Sequence, residues 1–404
     1  PLGTPTRVEN LCEIEAGRPN LARVLQQHGY RTGFVGKSHI IRHEWLHPMK
    51  PADSGLKTWS QYADPRDPAV NAAMRHNHRV WCDELKKYGF DYADGVYPAN
   101  LKELWSDALD VHNLDWTVDR ALRFLEESSE SPFFLCFSTT LHHGPPPSST
   151  EYSLHADPRM TGEGFVSAGF DALPTREDVL ERNRQAGFDD DVAYALWLDD
   201  GVGAILDRLA QLGIDDETLV IFASDHGSYR YGKTTLYEHG IRVPAICRWP
   251  SVIAAGSRYD GIVSNIDVAP TVLDIAGVEQ PTEYQVDGLS LRSVLRGDHA
   301  AVRDSLFGEL GYARCVKTTE WKYIAVRYPE AVQRKIDRGE KFPAFRDHPP
   351  LDRPYLTRNG HLGHNASAAN PLYFESDQLF DLVNDPEERT NVIDEYPAIA
   401  AQMK

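Results

Sequence analysis

Asp225 and His226 stand side by side at the end of an apolar, β-branched run, Thr218 to Ala223, and Lys233 follows in a stretch flanked by Gly227 and Gly232. A carboxylate beside an imidazole offers a hard and a borderline donor to a divalent metal. A lysine close behind can face an anion. The run before them predicts a buried strand. In an open α/β sheet, the carboxyl ends of strands are where ligands bind. Together these features imply hydrolysis of a phosphate or sulfate ester. An Asp-His-Gly triplet alone is also what an ordinary strand-end turn with an Asp cap looks like, so the rest of the chain must decide.

The elements that would position these residues alternate between helix and strand. Pro19 opens a short helix with Leu21, Val24 and Leu25 on one face and Gly29 at its end. A strand over 32–35 leads into Gly36-Lys37-Ser38-His39. Residues 40–114 read as polar loop with several Trp. Asp115 is expected to cap a helix bearing Val118, Leu122 and Leu125. A strand over 133–138 runs into Leu141-His142-His143-Gly144-Pro145, and 146–188 again reads as loop. A long amphipathic helix is expected from Asp190 to Leu212, and another strand from Pro244 to Arg248. This alternation predicts an α/β fold, a largely parallel sheet sandwiched by helices. Three strands end in clusters of Lys, His or Asp, and one edge of such a sheet would collect them.

After residue 300 the pattern changes. Residues 313–328 predict a hairpin turning at Thr319-Glu320, 378–382 a further strand, and Asp385-Pro386-Glu387-Glu388 the start of a terminal helix. The division expected is a catalytic α/β domain over 1–299, with its N-terminal strand missing, and a smaller α+β subdomain over 300–404. Residues 359–370 read as a mobile loop.

Composition bounds the function. The chain has 404 residues, 41% hydrophobic and 25% charged, enough for a sizeable globular core. No apolar run approaches the roughly 18 residues of a membrane span. A net charge of −18 argues against general binding to nucleic acid or anionic membrane. It leaves room for an anionic substrate gripped by a few local cations. The five cysteines show no paired spacing, and Cys136 and Cys247 sit in apolar runs that predict buried thiols. No signal peptide is visible, and the chain opens directly on Pro-Leu-Gly-Thr-Pro.

Five ordered segments resemble the formylglycine-dependent sulfatases of the alkaline phosphatase superfamily. Gly-Tyr-Arg-Thr-Gly-Phe-Val-Gly-Lys-Ser-His at 29–39 resembles the family's Gly-Lys-x-His segment. Ser-Asp-His-Gly, Lys233 and Leu-Tyr-Glu-His-Gly-Ile-Arg-Val-Pro resemble its metal and substrate segment. Asn265-Ile266-Asp267-Val268-Ala269-Pro270-Thr271 and Asp287-Gly288-Leu289-Ser290-Leu291 are similar to its structural signatures. Leu379-Phe380-Asp381-Leu382 with Asp385-Pro386-Glu387 resembles its C-terminal motif. Gly3-Thr4-Pro5-Thr6-Arg7 fits the Cys/Ser-x-Pro-x-Arg nucleophile pattern, but with Gly3 where the nucleophile belongs. A glycine has no side chain to attack with. A formylglycine written as Gly is the favoured reading, beside a deliberate inactivating substitution and a natural loss of catalysis. The paired acidic ligands of the family's first strand have no counterpart, and Cys12 to Gly17 departs from the family.

The resemblance implies one divalent cation, expected to be Ca²⁺, coordinated by Asp225 and His226. It also implies a formylglycine at position 3, made from Cys or Ser. Arg7 would hold the nucleophile loop, Lys37 and Lys233 would pair with sulfate oxygens, and His39 would handle the nucleophile's protons. His143 would serve the leaving oxygen, chosen over His142 because Pro145 fits the family's His-x-Pro. The expected substrate is a sulfated saccharide, with no nucleic acid and no membrane span. Resemblance alone favours a periplasmic or secreted protein. A phosphodiester or phosphonate monoester hydrolase is the alternative on the same scaffold. With a genuine Gly3, a non-catalytic binder of sulfated glycan is the other. His112, His155, His361 and His364 lack motif support and are expected at the surface. Trp45, Trp59, Trp81 and Trp105 are read either as sugar-stacking or as ordinary packing residues.

Overall fold

The computed structural model describes residues 14, 17–41, 55–143, 154–227, 232–233, 235–282, 286–310, 312–338, 370 and 372–404. Gly3, Arg7, Trp45, His361, His364 and the 359–369 stretch lie outside them. The chain forms two compact units: Asn10–Thr218 with Ala276–Gln285, and Leu219–Ile275 with Val286–Lys404. The boundary expected at 299/300 falls inside the second of these.

In the N-terminal unit, α1 (Leu21–Gln27) is capped by Asn20, whose side-chain Oδ1 accepts the Arg23 amide at 3.1 Å. It leads to β1 (Arg31–Lys37). Next come α2 (Pro68–Lys86) and β2 (Tyr92–Tyr97), then α3 (Leu114–Ser128) and β3 (Phe133–Ser138). The short pair β4 (Met160–Thr161) and β5 (Gly164–Phe165) precedes α4 (Arg176–Gln185) and α5 (Ala193–Gln211). The sheet order is β2-β1-β3, parallel throughout. Gly33 and Gly36 make the central strand possible. A Cβ on Gly33 would lie 2.6 Å from the Phe124 ring, which packs α3 against β1. A Cβ on Gly36 would lie 1.9 Å from the Ser138 carbonyl, and Gly36 has φ +105° at a register shift in β1. The core gathers Phe34, Trp81, Leu85, Val96, Tyr97 and Trp116, all buried.

In the C-terminal unit, β6 (Val220–Ala223), α6 (Glu238–Ile241) and β7 (Ala245–Arg248) come first, with β6 and β7 paired antiparallel. After α7 (Val268–Ala276) and α8 (Arg292–Leu295) come β8 (Leu306–Leu310), β9 (Ala313–Lys317), β10 (Trp321–Val326), α9 (Glu330–Asp337), β11 (Asp377–Asp381) and α10 (Pro397–Met403). The four late strands form an antiparallel sheet, order β11-β10-β9-β8. The fold is thus mixed α/β, with a parallel sheet in one unit and an antiparallel sheet toward the C-terminus.

The two sequence signatures of this unit meet each other. The Asp267 carboxylate accepts from the amides of Leu289 and Ser264, each at 2.8 Å, and the Arg303 guanidinium pairs with both its oxygens. Thr271 Oγ1 accepts the Leu291 amide at 2.8 Å. A Cβ on Gly288 would lie 2.0 Å from the Ile266 carbonyl, so the two segments touch backbone to backbone.

Several expectations are corrected. The 40–114 region holds α2 and β2, and 146–188 holds α4, opened by a Thr175–Asp178 capping box. Asn113, not Asp115, caps α3, and Asp115 instead pairs with Arg176 at 2.9 Å. No helix starts at Asp385, whose carboxylate accepts the Thr390 amide at 2.8 Å while Glu388 adopts φ +56°. Cys247 is exposed rather than buried, and Cys136 is half-buried. Burial still pushes the Cys136 thiol up to about 11.

Candidate active site

β1 and β3 bring two of the expected clusters to one sheet edge. They run parallel with Gly36 opposite Ser138, so the residues after each strand leave from the same side. Lys37 ends β1, and its ammonium donates to Asn100 Oδ1 at 2.8 Å. Asn100 in turn donates to Glu103 Oε1 at 3.0 Å, which fixes the amide's orientation. Ser38 and His39 donate their amides to the carbonyls of Tyr97 and Pro98 after β2, at 2.9 and 3.2 Å. His39 has φ +49°, which turns the chain sharply at the strand end.

His143 lies in the turn after β3, its amide bonded to the Thr140 carbonyl at 3.1 Å. The residue behind that turn is His112, which the sequence reading put at the surface. His112 is fully buried, against the Tyr194 ring. Its Nε2–H donates to the His143 carbonyl at 2.8 Å, and its Nδ1 therefore accepts from Thr140 Oγ1 at 2.9 Å. No short motif marks His112. The usable signal was its place just before the Asn113 cap of an apolar helix. His155 is exposed, as expected. Trp81 is core, and Trp59 donates to the Trp105 carbonyl at 3.1 Å, so these three pack against protein.

Asp225, His226 and Lys233 belong to the C-terminal unit and follow β6. His226 Nδ1–H donates to the Gly227 carbonyl at 2.8 Å, which leaves the Nε2 lone pair outward. That nitrogen lies 3.7 Å from Asp225 Oδ2, a spacing at which two donors can share one cation. The Asp225 carboxylate is 84% exposed and open to a ligand. The pair fits a divalent cation as part of its shell, since Ca²⁺ takes about 6–8 oxygen ligands. Lys233 is half-buried. Burial pulls its ammonium below the usual lysine range, while the Asp225 charge pulls the other way, so the two groups feel each other.

Backbone contact holds this turn together. Gly227 N–H donates to the Gly240 carbonyl at 2.9 Å. A Cβ on Gly227, Gly232 or Gly240 would fall 2.1, 2.0 or 2.3 Å from the backbone of the facing segment. Three stretches, 225–227, 232–233 and 235–241, are thus stacked without side chains between them.

A second group of potential ligands is already spoken for. His78, Cys82 and Asp94 hold donor atoms within 4.8 Å of one another. His78 Nε2 accepts the Val96 amide at 3.2 Å, and Arg120 pairs with Asp94 at 3.3 Å and Glu163 at 3.1 Å. Burial keeps His78 neutral-leaning, below its usual range, and the arginine supplies the positive charge a metal would bring.

Known proteins align with this chain along most of its length. Rat N-acetylgalactosamine-6-sulfatase is 26% identical over 397 residues, covering 92% of this chain and 68% of the rat protein. A structure described as in complex with its substrate D-glucosamine-2-N,6-O-disulfate matches with TM-score 0.55 at 18% identity, covering 98% of this chain and 82% of the other. A structure from work on glycosaminoglycan metabolism by Bacteroides thetaiotaomicron matches with TM-score 0.57 at 20% identity, covering 98% and 82%. At such identities the structural likeness speaks for the fold. The sulfatase family model matches residues 8–278, more than half of the sequence, and the chain belongs to the sulfatase family.

Proposed function

We propose that this protein hydrolyses the sulfate ester of a sulfated saccharide, of polysaccharide or glycosaminoglycan type. The observation that carries the reading is the turn in which Asp225 lies within electrostatic reach of both His226 and Lys233. The relative named for N-acetylgalactosamine-6-sulfate and the fold-mate named with a disulfated glucosamine support the choice of substrate class. A divalent cation, calcium by resemblance, would draw charge from the sulfate oxygens, and a formylglycine at position 3, made from Cys or Ser, would supply the attacking oxygen.

The chain's own side chains do the rest. Asp225 and His226 would hold part of the cation's shell. Lys233 and Lys37 donate charge-assisted hydrogen bonds to terminal sulfate oxygens, Lys37 steered by Asn100. Arg7, outside the described residues, would hold the nucleophile loop by resemblance. His39 takes and returns the nucleophile's proton, and His143 gives one to the departing sugar oxygen, where charge develops.

The test is a chain carrying formylglycine at position 3, assayed against aryl sulfates and a panel of sulfated saccharides, with matched phosphate esters alongside. Sulfate release is expected. A large phosphate preference would make it a phosphoesterase. Mass spectrometry of the peptide spanning residues 3–7 adds the remaining arm, since a gene-encoded glycine there would leave a binder of sulfated glycan.

A further inference from the structure

Behind the 235–241 turn lies a buried cluster of charge. Lys322, on β10, is fully buried, and its ammonium has three oxygens within reach. These are Glu238 Oε1 at 2.7 Å, Glu388 Oε1 at 2.7 Å and the Leu236 carbonyl at 3.0 Å. The Leu236 carbonyl accepts a hydrogen bond, and the two carboxylates are ion-paired with the ammonium. Glu388 Oε2 accepts the Glu238 amide at 2.5 Å, and Lys317 on β9 reaches Glu238 Oε2 at 2.6 Å. Two lysines therefore face two carboxylates, with Glu238 at the centre. Burial alone would raise Glu238, but the two lysines together hold it below its usual range. Burial prevails at Glu388, which lies above it.

Such a cluster is poor value as glue. Well-packed apolar residues of similar volume commonly stabilise as much or more. What an ion cluster does better is to fix one geometry. Glu238 begins α6, whose Gly240 carbonyl holds the Gly227 amide and whose backbone lies against Gly232. Gly227 and Gly232 are the immediate neighbours of His226 and Lys233. Because the contacts are backbone on backbone, no side chain can flex to absorb a shift of α6.

We propose that Lys322, Glu388 and Lys317 are positioning residues of the active site: by fixing Glu238 they set the backbone that carries Lys233 and His226. This rests on the roles given above to Lys233 and His226, and it adds residues from strands and a loop remote in sequence to the machinery.

The experiment compares the parent with Lys322→Met and, as a milder change at a half-exposed site, Lys317→Ala. Circular dichroism first establishes that each is folded. Hydrogen exchange is then read by peptide. Amides of 235–241 are expected to exchange at least about tenfold faster in Lys322→Met while those of β11 stay protected. With a sulfate ester, kcat/KM is expected to fall at least about tenfold, and combining Lys322→Met with Lys233→Ala should cost much less than the product of the two. If Lys322→Met does not fold, Lys317→Ala carries the same readouts at smaller amplitude. Unchanged exchange over 235–241, or fully multiplicative kinetics, overturns the proposal. A parent that hydrolyses no sulfate ester would refute the function instead, and the exchange data would still decide the positioning role.

Discussion

In the role proposed for Lys233, replacing it by alanine would remove one charge-assisted hydrogen bond to the substrate. That bond is worth about 1.5–3 kcal/mol, so kcat/KM should fall roughly 10- to 150-fold. Folding should be untouched, because burial already works against this ammonium in the native state. Full activity in Lys233→Ala, measured by steady-state kinetics, would remove the residue from the site. His112 makes a contrasting case. Its two ring nitrogens tie Thr140 to the His143 carbonyl from a buried position. His112→Phe keeps the ring and loses both bonds, leaving two polar groups unsatisfied at about 1–3 kcal/mol each. Both stability by urea titration and kcat should drop, and an unchanged kcat would mean that the His143 turn holds itself.

At the scale of elements, the Asp267 corner governs how α7 meets the segment 287–291. Asp267→Ala strands the Arg303 guanidinium and two amides, at an expected cost of about 3–5 kcal/mol. Burial alone would raise this carboxyl, but Arg303 and the Leu289 and Ser264 amides hold it below the usual carboxylate range. A depressed carboxylate adds stability above its unfolded pKa, near 3.9, and loses it as pH falls through the folded value. The gap between parent and variant in urea should therefore be full at pH 7 and shrink below about pH 4. A gap independent of pH would deny the ion pair its role. Other elements were legible in sequence because local signals agreed with tertiary ones: β1, β3, α5 and the β9–β10 hairpin all fall close to their expected places. Helix α2 was hidden for a physical reason. Its buried side includes Asn77, whose Oδ1 accepts from the Lys57 amide and whose Nδ2 donates to the Lys57 carbonyl, and His78, so its inward face does not read as an apolar stripe. The helix expected at Asp385 failed conversely. Its acids and proline look like a first turn, yet Glu388 is drawn inward to Lys322, a partner that no local pattern announces. The candidate-site residues were chosen from sequence, whereas supports such as Asn100, His112 and Lys322 needed coordinates.

For the whole molecule, charge sets a further expectation. A net charge of −18 repels a polyanionic substrate at long range, whatever Lys37 and Lys233 do close by. The Debye length shrinks from about 30 Å at 0.01 M salt to about 10 Å at 0.1 M, so the distant repulsion is screened first. The kcat/KM for an oligosaccharide bearing several sulfates should rise across that range, and a steady fall would mean that local cations govern the approach. The fold itself places a different demand on the gene. Lys317 and Lys322 lie far downstream of Lys233, yet Glu238 has them for its counter-charges, and Glu388, farther still, accepts its backbone amide. A premature stop after the 225–241 segment would preserve each candidate for catalysis in the linear code. The shortened product would leave the Glu238 carboxylate buried without its cations, or else exposed on a turn that no longer keeps its shape. Loss-of-function truncations should therefore extend at least to residue 388, far beyond the last candidate for catalysis.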